Sequence, residues 1–77
     1  MAGEELRTTL KVHRAMHDLT QAELAARAGL TRKSINAIET GRMVPSILLA
    51  LKLAKMLQVP VEELFSLVAE TPFSGPR

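Results

Sequence analysis

Arg32, Lys33 and Asn36 place a guanidinium, an ammonium group and a carboxamide close together in the stretch TRKSINAIETG, Thr31 to Gly41. Arginine and lysine only donate hydrogen bonds, whereas asparagine both donates and accepts, so the set suits phosphate oxygens and the edges of bases. Helical periodicity tests whether they share a face. With Arg32 at zero and about 100° per residue, Ile35 falls near 300° and Ile38 near 240°, which puts the outward direction near 90°. Lys33 (about 100°), Asn36 (about 40°), Ala37 (about 140°) and Thr40 (about 80°) surround that direction. Arg32 lies on the flank, within reach through its long side chain.

Each type has a job on a base edge. Arg32 or Lys33 can donate to guanine O6 and N7, and Asn36 can pair with adenine at two points. Ala37 lets the helix approach closely and can touch a thymine methyl. By residue type alone, the same face would serve equally well as a solvated one. The punctuation on either side favours a reading face.

That punctuation divides the chain into five expected helices and no strand, an all-α fold. A first helix is expected from about Glu4 to His17, with Leu6, Leu10 and either His13 or Val12 inward, ended by Asp18. Thr20 to Glu23 reads T-x-x-E, a capping box that starts a second helix running from Gln21 to about Ala28. Gly29 fits the positive φ of a helix end, and Thr31 caps a third helix that runs to about Thr40, where Gly41 ends it. Ser46, after Pro45, caps a fourth helix, Ile47 to Leu57, and a fifth begins near Pro60 with Glu62 and Glu63 on the positive end of its dipole. Residues 1–69 form the folded domain, and the tail 70–77, ETPFSGPR, is expected to fray.

Two short helices joined by a glycine-containing turn make a helix-turn-helix. In the DNA-binding version the second helix enters the major groove. Gln21 and Thr31, at helix starts, sit where side chain and amide can both grip phosphate oxygens.

The chain of 77 residues carries a net charge of +2. Its distribution says more. From Arg7 to Lys55 there are nine basic and three acidic residues, a local charge of +6, while Glu4, Glu5, Glu62, Glu63 and Glu70 lie outside. A basic body with acidic ends suits a polyanion on one side. So small a domain buries only about 60% of its unfolded surface, and oligomerisation is a common remedy. There are no cysteines, so no disulfide or thiolate metal site can help. The start, MAGEELRTTLKVH, has no apolar run of signal-peptide length, and the longest apolar block, Val44 to Leu51, contains Pro45 and Ser46. A soluble cytoplasmic protein without a membrane contact is expected.

Other chemistry is weakly supported. His13 and His17 have the i, i+4 spacing of metal ligands, but only Asp18 is near as a third and no HExxH pattern surrounds them. Independent histidines fit better, and no metal or cofactor is expected. Glu62 and Glu63 are adjacent and point apart, Ser34 and Ser66 lack a recognisable base, and there is no phosphate loop or nucleophile elbow. Catalysis is not expected.

LTQAELAARAGLTRKSINAIETGR followed by PSILLALKLAKMLQVPVEELF resembles the Xre/Cro family of phage-repressor-like helix-turn-helix regulators, especially its compact single-domain bacterial members. The likeness covers about residues 8–66 and is most specific from Leu19 to Arg42. It implies a five-helix, lambda-repressor-like DNA-binding domain that regulates transcription, usually as a dimer. It implies base reading by Arg32, Lys33, Asn36 and Ala37, and phosphate contact by Gln21, with Thr31, Thr40 and Arg42 beside it. Arg14 and Glu39 match a charged pair that links the first and third helices in several members. His13 stands where a core leucine is common, and Asp18 where glycine is common.

Met43, Val44, Leu48, Leu67 and Val68 are apolar beyond what the core needs. Leu48 falls about 100° from both Ile47 and Leu49, so one of the three must be poorly buried. These residues form a candidate homodimer patch of the last helix and the loop before the fourth. The expected function is a sequence-specific repressor on a rough palindrome. The alternatives are an antitoxin that binds a toxin and autoregulates its operon, a restriction–modification controller, or an interaction module that does not read DNA.

Overall fold

The computed structural model describes the backbone of residues 4–69 and side-chain surroundings for residues 5–67. The expected tail, 70–77, lies outside the described residues. The chain runs β1 (Glu4–Thr8), α1 (Leu10–Met16), α2 (Gln21–Ala28), α3 (Arg32–Glu39), α4 (Ile47–Leu57), α5 (Val61–Leu64) and β2 (Phe65–Ala69). Five helices form among the described residues, α2, α3 and α4 from the side-chain caps that the sequence marks, and a two-stranded ribbon is added to them.

The ribbon corrects the reading at both ends. Glu4 to Thr8 is a strand rather than the first turns of a helix, and it pairs antiparallel with β2 in the register Leu6↔Leu67 and Thr8↔Phe65. The Thr8–Thr9 pair stops the helix from extending backwards. The Thr8 hydroxyl accepts from the Leu10 amide (3.1 Å), a local bond that competes with helical hydrogen bonding. The Thr9 amide donates to the Leu64 carbonyl (2.9 Å), tying the start of α1 to the end of α5. α5 stops after four residues, because Phe65 turns extended at φ −134° and ψ 130°. Leu67 and Val68 therefore lie on a strand and not on a fifth helix.

The remaining ends fall where their residues put them. Asp18 takes φ 56°, so the family's common glycine at this place answers a backbone requirement. Thr20 and Glu23 complete the capping box, with the Thr20 hydroxyl accepting from the Glu23 amide (3.0 Å) and the Glu23 carboxylate accepting from the Thr20 amide (2.8 Å). The bond from the Thr20 amide, with the Thr20 side chain adding to it, holds the Glu23 carboxyl below its usual range, helped by Arg27. Gly29 adopts φ 73° at the end of α2. The Lys52 ammonium donates to the Ala28 carbonyl there (3.0 Å), a cation on the negative end of the helix dipole. Ser46 accepts from the Leu49 amide (3.1 Å) to start α4. Gln58 ends α4 in the left-handed region at φ 61°, a position with no glycine to announce it.

The core sits where all five helices converge, with Leu10, Leu24, Ile35, Ile38, Leu53, Leu57 and Leu64 fully buried. α2 packs chiefly on α3, and β1 on β2. Of the two inward candidates on α1, Val12 points to solvent, whereas His13 is half-buried and lies 4.0 Å from Glu63. His17 instead meets the Leu57 carbonyl through Nε2 (3.0 Å), so the two imidazoles serve different contacts. No helix among the described residues is long and apolar enough to cross a membrane.

Candidate nucleic-acid interface

α3 is the third of five helices and the one whose outer face is most polar. Its inner face is fixed by Ile35 and Ile38, both buried. Its start is fixed by Thr31, whose hydroxyl accepts from the Ser34 amide and donates to the Ser34 hydroxyl, each at 3.1 Å. With roll and start both fixed, Arg32, Lys33 and Asn36 stand exposed and line one shallow depression. Ala37 is half-buried beside them. The three polar groups that the helical wheel gathers are therefore gathered in space and exposed to solvent.

The flanking residues are placed differently from one another. The Thr40 hydroxyl turns back onto the helix and donates to the Asn36 carbonyl (2.9 Å), so it finishes α3. Arg42 is exposed just past the end, its amide bonded to the Ala37 carbonyl (2.8 Å). Gln21, at the start of α2, is half-buried. Its Nε2 donates to Asn36 Oδ1 (3.1 Å) and to Glu39 Oε1 (3.0 Å).

Behind the face lies the ion pair of Arg14 and Glu39. Arg14 Nε donates to Glu39 Oε2 (2.6 Å) and its second terminal nitrogen to Oε1 (3.3 Å). The remaining nitrogen donates to the Leu19 carbonyl (2.7 Å). The side chains are 14% and 2% exposed. A paired, fully hydrogen-bonded charge is the only kind a core tolerates cheaply. Here it ties α1, the α1–α2 loop and the end of α3 together in one geometry, behind the polar outer face of α3.

The candidate apolar patch divides. Met43 is half-buried and packs on the core. Val44 (72%), Leu48 (77%) and Leu67 (70%) are exposed, and the side chain of Val68 lies outside the described set. Of the Ile47, Leu48 and Leu49 trio, two rather than one are turned outward, with Ile47 80% exposed. Leu51, at 53%, extends the strip along α4. Ile47 and Leu51 went unnoticed because helical spacing alone does not say which of α4's several apolar stripes meets the body.

Comparison with known proteins agrees with this geometry. The Helix-turn-helix family model HTH_3 matches residues 10–64. An uncharacterised HTH-type transcriptional regulator of Methanocaldococcus jannaschii is 45% identical over 60 residues, covering 78% of this chain and 91% of the relative. The restriction–modification controller protein C.AhdI of Aeromonas hydrophila superposes with a TM-score of 0.65 at 33% identity, over 70% of this chain and 78% of that one. A candidate DNA-binding protein from Bacteroides fragilis shares the fold, with a TM-score of 0.73 at 24% identity over 79% of this chain and 98% of its own. A paired helix-turn-helix with a wet, cationic second helix and a family model spanning α1 to α5 place the chain in the Xre/Cro-like helix-turn-helix family, as a DNA-binding domain of the transcription-regulator type.

Proposed function

We propose that the protein binds duplex DNA sequence-specifically as a homodimer and represses transcription from a roughly palindromic operator. The observation that carries this reading is the exposed triad of Arg32, Lys33 and Asn36 on a helix whose roll is fixed from behind by Arg14 and Glu39. α3 enters the major groove, with Arg32, Lys33 and Asn36 at base edges and Ala37 against the floor of contact. Phosphates are met by the first-turn amides of α2 and α3 together with Arg42, and by Thr31 and Thr40 where a phosphate oxygen displaces the internal acceptor of their hydroxyls. The exposed strip of Val44, Ile47, Leu48 and Leu51 forms the dimer seam. Two such reading helices lie about 34 Å apart on one face of the DNA, and two-fold symmetry makes the site palindromic.

Selection of the purified protein against a random duplex pool, at physiological salt with competitor DNA, tests the proposal. An enriched palindrome with half-sites one turn apart supports it. Folded protein that enriches nothing overturns it.

The same apolar strip supports a second reading, in which it seats a protein partner and the chain is an antitoxin that autoregulates its operon. The likeness to C.AhdI supports a third, a restriction–modification controller. A monomer in solution that copurifies with one stoichiometric partner from its host favours the antitoxin over the homodimer.

A further inference from the structure

Arg14, Glu39, Gln21 and Asn36 form one unbroken chain of hydrogen bonds from α1 to the outer face of α3. Each link fixes the direction of the next. The Glu39 carboxylate only accepts, and Arg14 pins it through both oxygens. Gln21 must therefore turn its NH2 toward Glu39 Oε1, since its own carbonyl oxygen there would face the carboxylate with no hydrogen between them. Gln21 Nε2 has one further hydrogen, and this goes to Asn36 Oδ1 at 3.1 Å. Asn36 is fixed in its turn, because a flipped carboxamide would set donor against donor.

We infer that Asn36 reads DNA first as a hydrogen-bond donor, its oxygen being held on α2, and that Gln21 is the positioning residue that makes it so. The inference rests on the DNA-binding reading above and refines its specificity. A free asparagine pairs with adenine at two points, accepting from N6 and donating to N7. With its oxygen tied to Gln21 on α2, the Asn36 carboxamide is held in one orientation and leads with its two Nδ2 hydrogens. These suit acceptors, the paired O6 and N7 of guanine best, thymine O4 or adenine N7 singly, and they oppose the amino groups of cytosine and adenine. Gln21 changes role as well. Both its amide hydrogens are used inside the protein, so its side chain has only an oxygen left, which a phosphate repels. The phosphate grip at the start of α2 belongs to the backbone amides.

The orientation has a single origin, the acceptor-only carboxylate of Glu39. The ion pair that holds the helices together thus also sets which way a surface amide faces. Replacing Gln21 by leucine keeps the bulk and removes both donors, which frees Asn36 to turn.

The test is random-pool selection on the wild type and on Asn36→Ala, Gln21→Leu and Asn36→Asp, each checked for folding by its melting transition. Asn36→Ala identifies the base pair that Asn36 contacts by erasing preference there. At that pair the wild type should depend on an acceptor: 7-deaza substitution of a guanine should weaken binding about tenfold, while removing an exocyclic amino group should leave it unchanged. Gln21→Leu should raise the preference for adenine at that pair and make it depend on the adenine N6 amino group, leaving the positions set by Arg32 and Lys33 as they were. Asn36→Asp, an acceptor, should turn the preference toward cytosine. A wild type that needs an adenine N6 amino group at that pair overturns the inference, as does a folded Gln21→Leu with unchanged preference, or an Asn36→Ala that erases no preference. The base-analogue measurement uses the unaltered protein, so it stands even where a variant misfolds. Folded wild type that enriches no sequence removes the DNA reading itself, a result distinct from an enriched site with the wrong chemistry at one base pair.

Discussion

α3 and α4 each leave one face outside the core, and the two faces are opposites. On α3 the outward groups are Arg32, Lys33 and Asn36, and the one neutral member is already hydrogen-bonded to Gln21. On α4 and the loop before it they are Val44, Ile47, Leu48 and Leu51, none able to hydrogen-bond through its side chain and all more than half exposed. Water satisfies the first face and is a poor neighbour for the second. A polar face can stay wet until an anion displaces its water. An apolar strip gains about 1.5–3 kcal/mol for each large side chain it fully buries, and at a two-fold seam every residue counts twice. Under the proposed function, the difference suits the faces to different partners, nucleic acid for α3 and an apolar protein surface for α4.

The largest expected effect breaks the α4 side alone. Leu48→Glu sets a charge in the strip without touching the core, so the monomer should keep its melting temperature. The dimer should be lost, and operator affinity with it by on the order of 10²- to 10⁴-fold, the usual worth of a second linked site. Sedimentation of wild type and variant, with binding to a full operator and to a half-site, checks this. A wild type that is already monomeric at micromolar concentration, or a variant that binds the full operator normally, takes the dimer seam away from α4.

Next comes the foundation of the α3 side. Glu39→Ala leaves the Arg14 guanidinium, 14% exposed, without its carboxylate and Gln21 without one acceptor. Removing one partner of such a pair typically costs about 3–5 kcal/mol, seen in a denaturant melt as a lowered midpoint with unchanged slope. A cost near zero would mean that water reaches Arg14 freely, and α3 would then be held by Ile35 and Ile38 alone.

Smaller again are the reading residues themselves. Arg32→Ala or Lys33→Ala should relax preference at one or two base pairs and cost about 1–3 kcal/mol of specific affinity. Arg42→Ala should weaken all sequences alike and flatten the salt dependence by about one unit of slope. Equal effects from both classes would mean that the α3 face is a general polyanion surface.

How much of this was legible beforehand follows the range of the interactions. The turn between α2 and α3 was legible because its determinants are local: Thr20 with Glu23, Gly29, and Thr31 with Ser34 all act within one helical turn. The wheel on α3 needed only Ile35 and Ile38 to be inward. The ribbon was not legible, since Leu6 finds its partner in Leu67 at the other end of the described chain, and five residues per strand are too few for alternation to outvote a helical pattern. Nor was the Gln21–Asn36 bond, whose existence depends on how closely α2 and α3 pack. The left-handed turn at Gln58 lacks the glycine that marks such turns elsewhere, and Pro60, two residues on, only says that the helix has ended by then.

The smallest effect belongs to the capping box and separates the two faces by pH. Thr20 bonds hold the Glu23 carboxyl below its ordinary value of 4.5. A carboxylate with a lower value in the folded chain than in the unfolded one favours folding above the unfolded value, and that contribution is lost as pH falls through the folded value. Glu23→Gln keeps an acceptor for the Thr20 amide and removes the charge at the positive end of α2. The variant should therefore melt slightly below the wild type at pH 7, and the gap should close as the pH is taken below the carboxylate range, where both side chains are neutral. A gap that stays constant from neutral to acid pH would assign the effect to the shape of the amide. Val44, Ile47, Leu48 and Leu51 carry nothing that titrates, so with Leu48→Lys as the monomeric reference, whose charge is unchanged across the acid range, the closing gap should appear in the monomer as fully as in the dimer. A gap that vanished on dissociation would couple the start of α2 to the α4 seam and end the independence of the two faces.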